Sequence, residues 1–228
     1  MMKTLTEIPF SLDADQIIVQ SHVEAGSGIA ADLPSLIELA QEIGRPKAAF
    51  ALCFITKRDG DKVQINDACF RSRTLALNLE STERVFPFVA TCGHELDQGF
   101  PDKGDMIKEF WWDMIKTCLL VAANEYLNSY LLRTFRIGKM VTMHPGSGDV
   151  SIWPIEQQKD LFSLLGNVGK ELGVQLTDSS LMIPNKTTSG IMFPSEKDFR
   201  SCEVCHRENC PSRHALFNKD LWEEIQHD

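Results

Sequence analysis

The chain has 228 residues, of which 43% are hydrophobic and 24% are charged, as is ordinary for a globular protein with one sizeable domain or one domain and an appendage. Its formal net charge of −9 argues against a general nucleic-acid-binding protein, because such proteins usually present a basic face. The segment MMKTLTEIPFSLDADQ lacks the apolar stretch of a signal peptide, and CLLVAA at 118–123 is too short to cross a bilayer. We therefore expect a cytoplasmic protein without a membrane segment.

The N-terminal half mixes helices and strands. A first clear helix is predicted from Leu33 to Ile43, with Asp32 as its cap. KAAFALCFITKRDGDKVQIN predicts two strands around a turn at Asp59-Gly60. RSRTLALNLE is predicted to be helical, and RVFPFVATCG is typical of a largely buried strand.

The longest helix is predicted from roughly Asp105 to Arg136. Hydrophobic residues recur along it at helical spacing and form one apolar stripe: Ile107, Trp111, Met114, Cys118 and Val121. Another turn along the stripe brings Glu125 onto nearly the same face. A carboxylate on a core-facing stripe needs a partner, such as an internal salt bridge, unless the helix twists it toward solvent.

The C-terminal half completes the fold class. GKMVTMHPGSGDVSIWP predicts a strand ending in a turn rich in glycine and proline, and Pro154 opens a short helix from Ile155 to Leu165. LGVQLTDSSLMIPNKTTSGIMF predicts two further strands. Because the order is not a regular βαβα, we predict an α+β domain with a mainly antiparallel sheet over residues 1–194. Residues 195–228 form a polar, cysteine-rich tail with an acidic helical stub.

The seven cysteines fall into two groups. Four are scattered in apolar surroundings and are interpreted as small core residues: Cys53, Cys69, Cys92 and Cys118. The other three lie within nine residues of the tail, in CEVCHRENCPSRH, at C-x2-C-x4-C spacing. In a reducing compartment, thiols clustered in this way are more typical of a metal site than of disulfides.

The predicted metal site uses three thiolates from the tail. Cys202, Cys205 and Cys210 would be joined by His214, or by His206 or a distant cysteine, as the fourth ligand. Zinc takes four tetrahedral ligands, and Cys3His is an ordinary structural set. An iron–sulfur cluster is the other soft-ligand option and would add redox activity. The spacing does not choose between them, and three free thiols remain the alternative.

Three stretches, taken in order, resemble the activation (reactivation) domain of vitamin B12-dependent methionine synthase. AANEYL at 122–127 resembles that family's alanine- and glutamate-containing helix segment. HPGSGDVSIWPIEQQKDLFSLLG is similar to its Pro-Gly-Tyr turn and the segment that follows. LGVQLTDSSLMIPNKTTSGIMF is similar to its pattern of Gly, Leu-Thr-Glu-Ser, Met, Pro and Ser-Gly. VATCGHELD and the C-x2-C-x4-C-P tail resemble segments of small stand-alone relatives.

The resemblance implies a fold and a role. The fold would be α+β, with a twisted antiparallel sheet and long helices. The role would be to bind S-adenosylmethionine, dock over a corrinoid cofactor held by a partner, and permit reductive remethylation of its oxidised cobalt. The partner would be a corrinoid-binding methyltransferase protein, and an electron donor would complete the system.

The resemblance places the cofactor-binding residues on the long helix and in one loop: Glu125, His144, Pro145, Gly146 and Ser147. In the family the loop reads Arg-x-x-x-Gly-Tyr, whereas this chain has Thr142 at the arginine position and Ser147 at the tyrosine position. An arginine would give the ligand's carboxylate a fixed charge and a fork of donors, which threonine cannot replace. A plain turn between strand and helix is therefore the alternative for this loop.

Two functions remain open from the sequence. One is an accessory subunit for S-adenosylmethionine-dependent reactivation of a corrinoid methyltransferase, with Glu125 holding the ligand's amino group. The other is a non-catalytic module that binds a corrinoid protein, with a structural zinc in the tail and no S-adenosylmethionine. An independent enzyme has little support, since the chain shows no phosphate loop, no GxGxxG and no recognisable catalytic triad.

Overall fold

The structure is a computed structural model that describes residues 1–23, 28–100, 104–148, 152–210 and 213–227. Its α-helices are α1 (Ala14–Ser21), α2 (Leu33–Ile43), α3 (Arg73–Asn78), α4 (Glu95–Gln98), α5 (Met106–Phe135), α6 (Gln158–Leu165), α7 (Val168–Leu172) and α8 (Lys219–His227). The strands are β1 (Met2–Leu5), β2 (Lys47–Ala51), β3 (Cys53–Asp59), β4 (Lys62–Ile65), β5 (Ala68–Arg71), β6 (Arg84–Thr91), β7 (Met140–Met143), β8 (Gln175–Leu176), β9 (Met182–Ile183) and β10 (Thr187–Pro194). Short 3-10 turns lie at Gly28–Ala30, Ile155–Gln157 and Ser201–Val204.

One antiparallel sheet carries eight of these strands, and β8 and β9 form a separate pair. Strand β6 is central: β10 lies along one side of it, and β2 and β3 lie along the other. The sheet continues from β2 to β1, from β3 through β4 to β5, and from β10 to β7. The predicted α+β class with a mainly antiparallel sheet is confirmed.

The central strand β6 contains a proline at the point where its neighbour changes from β2 to β3. Phe50 of β2 lies opposite Phe88, and Cys53 of β3 lies opposite Val85, so Pro87 falls between the two pairings. Proline has no N–H to donate to a ladder. The gap between β2 and β3 therefore falls where β6 lacks a donor. The one strand that was predicted before the turn at Asp59-Gly60 is thus observed as two strands, β2 and β3.

Most predicted elements are found with close boundaries. Helix α2 begins at Leu33 and ends at Ile43 as predicted, and α5 covers Met106–Phe135, with the Asp105 carboxylate accepting from the N–H groups of Ile107 and Lys108. The turn at Asp59-Gly60 joins β3 and β4, with Gly60 at φ +59°. Strand β5 replaces the start of the predicted RSRTLALNLE helix, which begins at Arg73 instead.

The core consists of three clusters of buried side chains. The largest lies on the sheet face opposite α5 and includes Trp153 and residues of α6 and α7. The second lies between the sheet and the C-terminal half of α5. The third joins the N-terminal half of α5 to α1 and α2. Three tail residues, Phe199, Val204 and Ile225, belong to the largest cluster, so the tail packs on the sheet domain.

The buried face of α5 differs from the predicted stripe. The residues that are buried are Trp111, Trp112, Ile115, Leu119, Ala123, Leu127 and Leu131. Of the predicted stripe, Ile107 and Val121 are 45% and 48% exposed. The prediction assumed one buried stripe along the whole helix. In the structure the N-terminal half of α5 packs against α1 and α2, whereas its C-terminal half packs against the sheet.

The four scattered cysteines do not share one environment. Cys53 and Cys92 are buried and Cys118 is half-buried, as predicted for small core residues. Burial raises the pKa of the Cys92 thiol to about 12, which keeps it protonated. The prediction was wrong for Cys69, which is exposed because it lies on the solvent side of β5 between buried Ala68 and Phe70.

Within the described ranges, no helix combines the length and the apolar character needed to span a bilayer.

Candidate functional site

The loop after β7 has the geometry of a tight turn held by its main chain. The Gly146 N–H donates to the Trp153 carbonyl at 2.8 Å, and the Ser147 N–H donates to the His144 carbonyl at 3.2 Å. Gly146 has φ +75°, and a Cβ placed on it would lie 3.0 Å from Cβ of Ile155. Glycine is required here by both conformation and space. Pro145 is buried, whereas Gly146 is exposed and leaves main chain open at the surface.

His144 anchors the start of this loop to the neighbouring strand. Its Nδ1 lies 2.9 Å from the Ser189 carbonyl oxygen of β10, and its ring meets Phe88 edge-on at 5.9 Å between centroids. Burial lowers the pKa of His144, and the bond to Ser189 only partly opposes this. The ring is therefore neutral at physiological pH, and its hydrogen bond to Ser189 fixes the start of the loop on β10.

The two positions at which the loop departs from the resembled family are both described. Thr142 lies in β7 opposite Met192, and Ser147 is half-buried in the turn. Neither side chain carries a charge, so the loop itself offers a ligand main-chain groups and hydroxyls only. A carboxylate bound here would find no guanidinium from residues 142–147.

Glu125 lines a groove that includes none of the described residues of this loop. It is exposed, and the groove lies between α5 and the chain from Pro9 to Gln20. The sequence alternative in which the helix turns Glu125 toward solvent is the one found. Among the described residues, no hydrogen bond or ion pair joins Glu125 to His144, Pro145, Gly146 or Ser147. The five predicted cofactor-binding residues are thus divided: Glu125 lies in the groove, and the other four lie in the loop.

The tail lies directly against the candidate loop, a contact that sequence reasoning missed. A Cβ placed on Gly148 would lie 3.3 Å from the Ser201 carbonyl oxygen and 3.7 Å from Cβ of Cys205. Gly148 also has φ +87°. The glycine pair Gly146 and Gly148 was the available signal, since a second glycine indicates a second close approach. Residues 149–151 and 211–212 of the quoted motifs lie outside the described residues.

Two arginine side chains bind main-chain carbonyls of the cysteine segment: Arg200 donates to that of His214, and Arg213 makes the other bonds. The guanidinium of Arg213 donates to four main-chain carbonyl oxygens, at distances from 2.7 to 3.0 Å: those of Cys202, Cys205, Arg207 and Ala215. The His214 N–H donates to Sγ of Cys202 at 3.4 Å. His206 packs instead between Phe217 and Trp222, with its ring centroid 4.6 and 4.4 Å from theirs.

The predicted metal ligands are near one another in sequence but are not gathered around a point. Within the described residues, no three His, Cys, Asp or Glu side chains form a group that could hold a metal ion. Cys202, Cys205, Cys210 and His214 therefore do not form a four-ligand site in this arrangement. The metal remains a prediction from the spacing.

A second polar group lies at GHELD, which also resembled small relatives. Nζ of Lys47 lies 2.6 Å from Oε1 of Glu95, and the Lys116 ammonium pairs with Asp97. Burial opposes ionisation of Glu95, but its bonds from Lys47 and from the backbone outweigh this and lower its pKa. These pairs fasten α4 to β2 and α5, so the segment is structural.

Comparison with known proteins finds a similar fold but no similar sequence family. No protein-family model matches the chain, and no curated protein matches it. Among solved structures, the MetH reactivation domain bound to AdoHcy matches with a TM-score of 0.61 and 15% sequence identity. The match covers 88% of this chain and 81% of that one.

The chain has the fold of the MetH reactivation domain. At 15% identity the similarity concerns the fold, and it confirms the resemblance that was predicted from the motifs.

Proposed function

We propose that this chain is an accessory subunit for reductive reactivation of a corrinoid methyltransferase, such as B12-dependent methionine synthase. The observation that carries the proposal is the fold of the MetH reactivation domain over 88% of the chain. The neighbouring structure holds AdoHcy, which is S-adenosylmethionine without its transferable methyl group. A corrinoid on the partner, reduced by a separate electron donor, would take the methyl group of S-adenosylmethionine.

The residues of this chain would orient the reactants rather than react. Gly146 leaves its main chain open for an adenosyl ligand, and the neutral His144 ring holds the loop on β10. The tail at Ser201 and Cys205 supports the loop from behind Gly148. Within this chain the loop is the part assigned to the adenosyl ligand, because none of its described residues lines the groove that holds Glu125. Holding a ligand in a reactive geometry is itself a large catalytic effect.

The test is calorimetric titration of the full chain with S-adenosylmethionine and with AdoHcy. Binding of both is expected. Gly146→Ala forces an alanine into φ +75° and toward Ile155, so we expect binding to weaken roughly tenfold or more, about 1.4 kcal/mol. Gly138→Ala is the matched control, because a Cβ on Gly138 meets no atom within 4 Å. Circular dichroism would show that both variants are folded.

A second function is favoured by the uncharged residues at positions 142 and 147. It is a module that binds a corrinoid protein without S-adenosylmethionine. Absence of heat with either adenosyl ligand, together with co-elution with the corrinoid-binding domain of a methionine synthase, would support this module and overturn the adenosyl proposal. If the chain binds neither adenosyl ligand and does not bind the corrinoid-binding domain, both functions are overturned.

A further inference from the structure

The groove that holds Glu125 is lined by none of the described residues of the loop after β7. Its walls are the chain from Pro9 to Gln20 and the outer face of α5 from Thr117 to Ser129. Its volume is about 520 Å³, within the range of roughly 300–1,000 Å³ that small-molecule sites occupy. On another side of α5, Asp113 pairs with Lys186 just before β10, at 2.8 Å. The side of α5 that lines the groove is therefore not the side that carries Asp113.

The groove is negative, and among the described residues it has no positive side chain to compensate. Asp13 and Glu125 contribute carboxylates, and none of the described residues that line it is Lys, Arg or His. One oxygen of Asp13, Oδ1, accepts from the Gln16 N–H at 3.0 Å and caps α1. Glu125 makes no hydrogen bond or ion pair with a described residue. Two carboxylates in a concave surface raise the local concentration of cations.

The remaining lining suits a cation that carries an aliphatic stem. Phe10 and Tyr126 offer aromatic surface, Val121 is 48% exposed, and Gln16 and Gln20 offer amide oxygens. An ammonium group gains from carboxylates, from amide oxygens and from aromatic faces, while its carbon chain covers exposed apolar surface. Anions such as phosphate would be repelled, and a hard metal ion would want six or more oxygens.

We propose that this groove binds a small organic cation of the diamine or polyamine class. One ammonium group contacts Glu125, and the other lies toward Asp13. The proposal goes beyond the reactivation role and does not depend on it. It adds a second ligand site to the chain, in a groove that none of the described loop residues lines.

The test is calorimetric titration with putrescine and spermidine, with 1,4-butanediol as the uncharged analogue of putrescine. We expect both amines to bind, 1,4-butanediol not to bind, and affinity to fall as salt screens the carboxylates. Glu125→Gln should weaken putrescine binding roughly tenfold, since a charge-assisted bond is lost. Asp13→Asn should weaken it less, and it keeps the cap of α1 because asparagine is also a good N-cap. Glu38→Gln is the matched control: Glu38 is exposed on α2, outside the groove, and the variant loses the same net charge.

Several results would overturn the proposal. They are equal binding of 1,4-butanediol, unchanged affinity in Glu125→Gln, and an equal loss in Glu38→Gln. Binding only of lysine-rich peptides and not of free amines would assign the groove to a protein partner instead. Gly146→Ala should leave putrescine binding unchanged, which separates this test from that of the adenosyl ligand. Competition between S-adenosylmethionine and putrescine would contradict a separate site.

Discussion

In the sheet and its helices, fully buried side chains such as Phe86 and Trp153 hold the elements together, whereas in the tail Arg213 binds four main-chain carbonyls. The first kind of contact is spread over three clusters, and no single residue carries it. The second kind is concentrated in the guanidinium of Arg213, and Arg200 adds one such bond, to the His214 carbonyl. The sheet domain should therefore unfold as a unit. The tail also buries Phe199, Val204 and Ile225 against it, so only the segment that Arg213 binds should open locally when that side chain is removed.

The largest effect is expected in the sheet domain. Phe86 is fully buried, and its ring centroid lies 4.7 Å from that of Phe135 and 6.4 Å from that of Phe50. Phe86→Ala should lower the free energy of unfolding by about 3–5 kcal/mol, through lost burial and the cavity left behind. Phe54→Ala, at a position 53% exposed on β3, should change it by about 0.5 kcal/mol or less. Denaturant unfolding followed by circular dichroism measures both, and similar losses would contradict the assignment of the core.

A smaller and local effect is expected in the tail. Arg213→Ala removes the donors to four carbonyls and should lower the free energy of tail opening by roughly 1–3 kcal/mol, with the unfolding of the sheet domain unchanged. Hydrogen exchange of residues 200–220 measures this opening. Arg207→Ala is the matched control, because Arg207 is exposed and its variant loses the same charge.

The same measurement tests the predicted metal. If metal analysis finds zinc or iron, and a chelator opens the tail while Arg213→Ala does not, then Cys202, Cys205, Cys210 and His214 hold the segment rather than Arg213. Iron with sulfide would favour a redox tail, and zinc would favour a structural one.

The smallest effect concerns the contact between the two regions, at the loop after β7. Burial holds the pKa of His144 below its ordinary value of about 6.5. The unfolded chain then binds more protons than the folded one, so stability that is present above this value is lost as the pH falls below it, down to the folded-state pKa. His144→Gln should flatten this part of the stability curve, measured by unfolding between pH 5 and 8.

The exposed His22 at the end of α1 provides the control for this pH dependence. His22→Asn suits the left-handed conformation at φ 57° and should leave the slope intact. An unchanged slope in His144→Gln would mean that another group causes the dependence.

The difference between the regions also explains what the sequence could predict. Helix α2 and helix α5 were predictable because apolar spacing and caps such as Asp105 act locally. The buried face of α5 was not, since it depends on which neighbours the helix meets along its length. Strand β5 has four residues, too few for a periodic signal.

The candidate sites show the same limit. Spacing grouped the tail cysteines but could not reveal that Arg213 binds their carbonyls, because hydrogen bonds to main chain carry no residue pattern. Family motifs grouped Glu125 with the loop at 144–147. Only the path of residues 9–20 along α5 shows that Glu125 has neighbours of its own.

The proline in β6 has a consequence outside the folded state. Apart from Pro87, the segment VFPFVAT at residues 85–91 has the composition of a segment that stacks into amyloid when exposed, since it is uncharged, rich in β-formers and buried in the fold. Pro87 lies within it and cannot donate to a stacked copy, so it acts as a gatekeeper during synthesis and refolding. The strand that holds the sheet together thus carries its own protection against self-association.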